Sequence, residues 1–167
     1  TVAAMTASDW PLVSRIYQEG IDTGNATFAA RPPASWDEWC RDKINSCSLV
    51  ARNGEEVIGW AALSPVSSRA VYAGVAEVSV YVGSAARGQG MGSLLLEELI
   101  QTSEANGIWT LQAGIFPENE ASLRLHLKHG FRLVGLREKL GRMELGEFAG
   151  KWRDVMLVER RSKTVGE

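Results

Sequence analysis

Arg87-Gly88-Gln89-Gly90-Met91-Gly92 is the stretch on which the fold turns. It follows an apolar run from about Gly74 to Gly83 and precedes a second one built on Leu95, Leu96, Leu99 and Ile100. In the first run Val78, Val80 and Val82 take one face and Glu77, Ser79 and Tyr81 the other, the alternation of a strand. The second has helical spacing. The segment therefore reads as strand, glycine turn and helix. Its glycines let the backbone turn tightly and come close to a ligand. The first N–H groups of the helix lack intrahelical partners, and the helix dipole adds to their attraction for an anion. Arg87 brings a permanent charge. A pyrophosphate is the natural guest; the alternative is a strand-to-helix turn that holds nothing.

The spacing excludes two common phosphate loops. A P-loop ends in Gly-Lys-Ser/Thr, and Gly92-Ser93-Leu94 has no lysine. In a dinucleotide fingerprint the third glycine would come one residue later. An acidic residue would also end a second strand, whereas Glu97 and Glu98 fall inside the helix.

Working outward, a first helix starts near Ser8 or Asp9 with Pro11 in its first turn. Leu12, Val13, Ile16 and Tyr17 share its buried face, and Gly20 marks its end. Residues 23–34 read as loop. Ser35-Trp36-Asp37-Glu38 is a capping box for a second helix, with Trp36, Trp39, Cys40 and Ile44 as its stripe. Strands over Leu49–Arg52 and Val57–Leu63 join across Asn53-Gly54, a preferred hairpin turn. Trp109–Ile115 is a further strand. Asn119 caps a last helix and Gly130 closes it. Ala121, Leu123, Leu125 and Leu127 alternate as in a strand, but the cap, the closing glycine and the lack of β-branched residues decide for helix. Phe131–Leu136 and Asp154–Val158 are the final strands. This order predicts one α/β (α+β) domain over residues 1–167. Its mainly antiparallel, mixed sheet is flanked by helices, with one crossover at the helix after the glycines.

Composition narrows the function classes. The chain has 167 residues and a net charge of −2, so no basic field recommends nucleic acid as a partner. No apolar run approaches the roughly 18 residues of a membrane span, and no signal-peptide pattern opens the sequence. Cys40 and Cys47 lack His or Cys partners at ligand spacing, so no metal site is expected and both are read as reduced thiols of a cytoplasmic protein.

Arg-x-x-Gly-x-Gly after a strand ending Val80-Tyr81-Val82 resembles the acetyl-CoA signature of the GNAT acetyltransferases. Asn119-x-x-Ser122, Leu125-His126 and Gly130-Phe131 resemble the segment that follows it in that family. Asn25-x-x-Phe28, Arg69 with Tyr72, Ala76 to Val82, Leu125-His126 and Gly150-x-Trp152-x-Asp154 resemble the phosphinothricin and methionine sulfoximine acetyltransferase branch. The resemblance covers nearly the whole chain and implies the GNAT fold.

It also implies roles. Val80, Tyr81 and Val82 would offer backbone groups to the pantetheine arm of acetyl-CoA. Arg87, Gly88, Gln89, Gly90, Met91, Gly92 and Ser93 would hold its pyrophosphate, and Asn119 and Lys128 would contact the cofactor beyond. Asn119 also reads as a plain helix cap and Lys128 as a solvated lysine. Glu77, mid-strand in an apolar run, would be the general base; otherwise it faces solvent. His126 stands where many GNAT enzymes carry a tyrosine thought to protonate the departing thiolate; it would act as acid or relay, or merely pack. His129 reads as a helix-end residue interacting with the dipole.

For the acceptor, Ser67, Ser68, Arg69 and Tyr72 would form a pocket wall, with Arg69 either a carboxylate clamp or a surface arginine that holds no ligand. Glu77, Val78 and Ser79 would form the floor, and Phe28 would cover the opening. The implied reaction is direct transfer of acetyl to a glutamate-like amine in a ternary complex. The alternatives are acetylation of a protein N terminus or lysine, and an acyl-CoA sensor without turnover. The branch is often dimeric, and Trp152 belongs either to such an interface or to the core.

Overall fold

The structure is a computed structural model that describes residues 1–167. In chain order it contains β1 (Val2–Ala4), α1 (Trp10–Asp22), α2 (Trp36–Asp42), β2 (Ser48–Asn53), β3 (Glu56–Pro65), β4 (Val75–Val82), α3 (Met91–Ala105), β5 (Thr110–Ile115), α4 (Glu120–Lys128), β6 (Arg132–Arg142) and β7 (Trp152–Arg161). The strands make one sheet in the order β1-β2-β3-β4-β5-β7-β6. Every neighbouring pair is antiparallel except β4–β5, whose parallel pairing needs the α3 crossover. The expected α/β architecture with a mainly antiparallel mixed sheet is thus present.

Strand alternation gives the sheet two buried faces. Ala61, Leu63, Ala76 and Val78 pack with Leu95, Leu96, Leu99 and Ile100 of α3. Trp60 and Ala62, on the opposite face, pack with Val13 and Ile16 of α1 and Trp39 of α2. Trp60 also stacks on Tyr81, at 4.5 Å between centroids, and meets Trp39 edge-on at 4.9 Å. These rings tie α1 and α2 to the strand that borders the site.

Several local expectations change. β1 is too short to announce itself in sequence; it exists because Val2, Ala3 and Ala4 pair with Ala51, Val50 and Leu49. α1 continues past Gly20 to Asp22. Gly20 is buried there because any Cβ would strike the Tyr81 ring, so it marks a contact and not a helix end. Ile44 lies beyond the end of α2 and packs on the α3 side. The capping box is half formed: Ser35 Oγ accepts from the Glu38 N–H, while the Glu38 carboxylate accepts from Ala34 instead of Ser35. β6 and β7 are longer than expected. Within β6 the pairing skips between Arg137 and Gly141. There Lys139 adopts φ +46° and its N–H bonds the Asp154 carboxylate at 2.8 Å. α4 is a helix, as the cap and closing glycine indicated, with Asn119 Oδ1 accepting from Ser122 N–H. Both cysteines are free thiols.

Candidate active site

The parallel pairing of β4 with β5 is brief. Val75, Ala76 and Glu77 face Thr110, Leu111 and Gln112, and there it ends. β4 stays paired with β3 as far as Val82, and β5 with β7 as far as Ile115. The two strands therefore part after Glu77, and the β5 side of β4 from Val78 onward has no strand partner. A cavity of about 400 Å³ opens in the gap. Val78 to Tyr81 of β4 and Ala113 to Ile115 of β5 line it, with Tyr17, Thr27 and Phe28 from the α1 side. A groove continues from it along Val80, Tyr81 and Val82 to Arg87.

The groove leads to the glycine loop. Gly88 and Gly90 have φ of +78° and +80°, and Gly90 is the residue before α3. No atom lies within 4 Å of where a Cβ on either would stand, so the loop is an open cradle and not a packed turn. Arg87 Nε donates to the Val82 carbonyl at 3.3 Å, which lays the side chain across the strand end. Ser93 shares a 2.7 Å hydrogen bond with His129 Nε2. That contact gives His129 a specific partner, which the dipole argument did not supply. Asn119 bridges as well as caps: its side-chain amide donates to the Asn25 carbonyl at 3.1 Å. It lines both the cavity and the groove. Lys128 is exposed at the end of α4. Open cradle, unpartnered strand edge and connecting groove together fit a long ligand with a pyrophosphate at one end.

Glu77 sits where the strands part, on the wall of the open cavity, and its side chain keeps access to solvent there. Its carboxyl is pushed above the ordinary carboxylate range by desolvation, while Lys43 and Arg137 pull it back down. Those two cations also line the cavity. Sequence reading missed both, because only the tertiary fold brings the end of α2 and the middle of β6 to Glu77.

His126 does not line the cavity; Ser122, one turn earlier, does. The imidazole is buried edge-on against Phe131. Its Nδ1 donates to the Ser122 carbonyl at 2.8 Å, so Nε2 carries the lone pair and has no partner. Burial lowers its pKa, against the raising effect of the Ser122 hydrogen bond, and so disfavours the charged ring.

The segment 67–72 is placed differently from expectation. Ser67, Ser68, Arg69 and Tyr72 do not line the cavity of this chain. The β3–β4 connection turns outward through a 3₁₀ turn at Ala70–Tyr72, and Arg69 stacks its guanidinium over Tyr72 at 5.5 Å. Val78 and Ser79 do line the cavity, as does Phe28, which meets Phe116 edge-on at 4.9 Å. The loop carrying Phe28 is pinned by Arg153, another residue sequence reading missed. Arg153 is 3% exposed. It donates to the Gly24 carbonyl at 2.7 Å and to Asn25 Oδ1 at 2.9 Å, with its guanidinium over Phe116 and Phe148. Trp152 is 61% exposed, so the core alternative for it falls. No helix is long and apolar enough to cross a membrane.

Comparison with known proteins agrees with this geometry. Residues 13–131 match the model of the acetyltransferase (GNAT) family. A phosphinothricin N-acetyltransferase of Streptomyces coelicolor is 41% identical over 106 residues, 64% of this chain and 59% of that protein. One from Alcaligenes faecalis is 32% identical over 165 residues, 96% of this chain and 81% of its own. Among solved structures, a phosphinothricin acetyltransferase of Sinorhizobium meliloti in complex with AcCoA superposes with a TM-score of 0.83 at 30% identity, covering 96% of this chain and 87% of that one. A ribosomal-protein-alanine N-acetyltransferase of Brucella melitensis gives 0.85 at 28% identity, covering 97% and 99%. The chain belongs to the acetyltransferase (GNAT) family and is an acetyl-CoA-dependent N-acetyltransferase.

Proposed function

We propose that the chain acetylates the primary amine of a small amino-acid-like substrate of the phosphinothricin, methionine sulfoximine or methionine sulfone type, by direct attack in a ternary complex. The observation that carries this reading is the position of Glu77, a carboxylate on the wall of a small cavity where β4 leaves β5. Acetyl-CoA supplies the activated acyl group as a thioester. Gly88 to Gly92 would cradle its pyrophosphate, with Arg87 and Ser93 beside them. The free edge of β4 at Val80, Tyr81 and Val82 would bond the pantetheine arm as a strand bonds a strand. Asn119 and Lys128 would contact the remainder.

An amine attacks only when neutral, so its proton must leave first. Glu77 would accept it, directly or through water, and its raised pKa brings it nearer a useful base. The amine proton collected by Glu77 would pass to the departing thiolate through solvent, while His126, whose Nδ1–H is given to the Ser122 carbonyl, would position Ser122 at the cavity wall. Val78 and Ser79 would floor the acceptor site and Phe28 would cover it, leaving Ser67, Ser68, Arg69 and Tyr72 an outer-rim role. We further infer one acetyltransferase domain over residues 1–167, a cytoplasmic location and a homodimer. Exposed Leu133 and Leu136 on the edge strand β6, with exposed Trp152 on the neighbouring β7, support the dimer.

The likeness to a ribosomal-protein-alanine acetyltransferase favours one competing acceptor, a protein N terminus. A thiol-release assay with acetyl-CoA separates the two. Turnover of phosphinothricin or methionine sulfoximine over an alanine-initiated peptide is expected. Turnover confined to the peptide would overturn the small-substrate reading, and binding of acetyl-CoA without any turnover would leave a sensor.

A further inference from the structure

The cavity carries three charged side chains, Glu77, Lys43 and Arg137, for a net of +1. Neither cation is paired: no carboxylate lies within 4.0 Å of Lys43 or Arg137, although seven other basic–acidic pairs reach that distance. Lys43 leans over the Trp39 ring at 4.9 Å, and burial lowers its pKa despite the opposing pull of Asp42 and Glu77. It is a half-buried ammonium short of a counter-charge. Arg137 enters from β6, where its backbone pairs with Val155, itself a cavity residue. Glu77 feels the field of both cations.

Resting on the proposed acetylation of small amines, we propose that Lys43 and Arg137 are the specificity-determining residues of the acceptor site, receiving the carboxylate of an α-amino acid whose amine is presented to Glu77. The charges balance this way. With the amine neutral, a monocarboxylate brings −1 to a cavity of +1. In the same protonation state an amine without an anion, such as a lysine side chain or a peptide N terminus, brings one negative charge fewer and leaves the excess unmatched. The planar guanidinium of Arg137 suits bidentate recognition of a carboxylate, and Lys43 adds a point charge. Phe28, Phe116 and Leu140 supply the apolar surface for the substrate's side chain. The clamp is therefore moved from Arg69, which lies outside the cavity.

The test compares an α-amino acid with its own carboxamide, which has the same amine and side chain but no anion. The carboxamide's amine loses its proton more readily, so a preference for the acid reflects recognition and not reactivity. Wild type should favour the acid by about tenfold or more in kcat/KM. Arg137→Gln should raise the acid's KM by roughly 10- to 100-fold and the carboxamide's far less, any change in Glu77's ionisation appearing equally in the kcat of both. Lys43→Met should act in the same direction, and unchanged Tm of both variants excludes misfolding. Equal use of acid and amide by wild type, or an equal rise in both KM values in the variants, overturns the proposal. If neither is acetylated, the small-amine reading fails; calorimetric binding of acid against amide then reads the charge recognition separately, equal affinity sinking it.

Discussion

Gly20→Ala sets helix propensity against packing. Gly20 lies inside α1, and there alanine is favoured over glycine by about 1 kcal/mol. Propensity alone gives a more stable protein. Packing gives the reverse, because a Cβ at this position falls on Cε2 and Cδ2 of Tyr81. The ring cannot step aside. It stacks on Trp60 with 12° between the planes, and Tyr17 stands 4.9 Å away. Overpacking costs roughly 1–3 kcal/mol, and direct overlap with a held ring belongs in the upper half of that range. Subtracting the propensity gain leaves a net loss of about 1–2 kcal/mol. For a chain of this size that lowers Tm by roughly 2–8 °C, measurable by scanning calorimetry. KM should rise too, since Tyr81 lines the cavity. An unchanged or higher Tm would refute the view that Tyr81 holds this position to glycine.

Three further outcomes are expected. Arg153→Met removes the donors to Gly24 and Asn25 and should cost about 2–4 kcal/mol in thermal unfolding while raising acceptor KM as Phe28 loosens; Arg153→Lys should not restore either, because lysine lacks the flat group laid on Phe116 and Phe148. A full rescue by lysine would show that charge alone matters. Glu77→Gln should lower kcat by about 10²-fold or more, with the deficit shrinking as pH rises. Its raised pKa means the folded state holds the proton more tightly than the unfolded one, so ionising Glu77 works against folding. The variant should therefore equal or exceed wild type in Tm at pH 8, with any gain gone below about pH 4; a lower Tm at pH 8 would mean that attraction to Lys43 and Arg137 outweighs desolvation. Gly90→Val forces a side chain into a left-handed conformation at about 1–2 kcal/mol, although its Cβ falls in open space. Tm should fall modestly while acetyl-CoA affinity drops by about tenfold or more in calorimetry, and unchanged affinity would remove the loop from the cofactor site.

Sequence reading reached furthest where one segment carries its own physics. The strand-glycine-helix unit around Arg87 announces itself through alternation, left-handed glycines and helix spacing within some thirty residues, and α3 and β4 follow from it. Asn119 reads as a cap because capping is local. Lys43, Arg137 and Arg153 were illegible for the opposite reason. Nothing beside Lys43 at the end of α2 or Arg137 in β6 distinguishes it from a solvated surface charge; only the tertiary fold brings the two to one cavity. Arg69 lies outside the cavity of this chain because a motif gives proximity in sequence, whereas the 3₁₀ turn at Ala70–Tyr72 decides where the segment runs. Gly20 misled because a glycine needed for room looks the same as one needed for a turn.

An open sheet ordinarily has two margins, both on its outside. The parting of β4 from β5 gives this one a third, in its interior, flanked by residues 23–26 and by Asn119. Exposed margins invite other chains to add to them, and proteins usually blunt them. Here the margin is shielded by the protein's own loops yet left chemically unsatisfied, so a slender extended molecule can complete it where a polypeptide strand would not fit. In the proposed binding mode acetyl-CoA would serve as a removable strand. Its departure after each turnover would return the sheet to an unfinished state, and part of the fold's stability would follow the ligand's concentration by mass action.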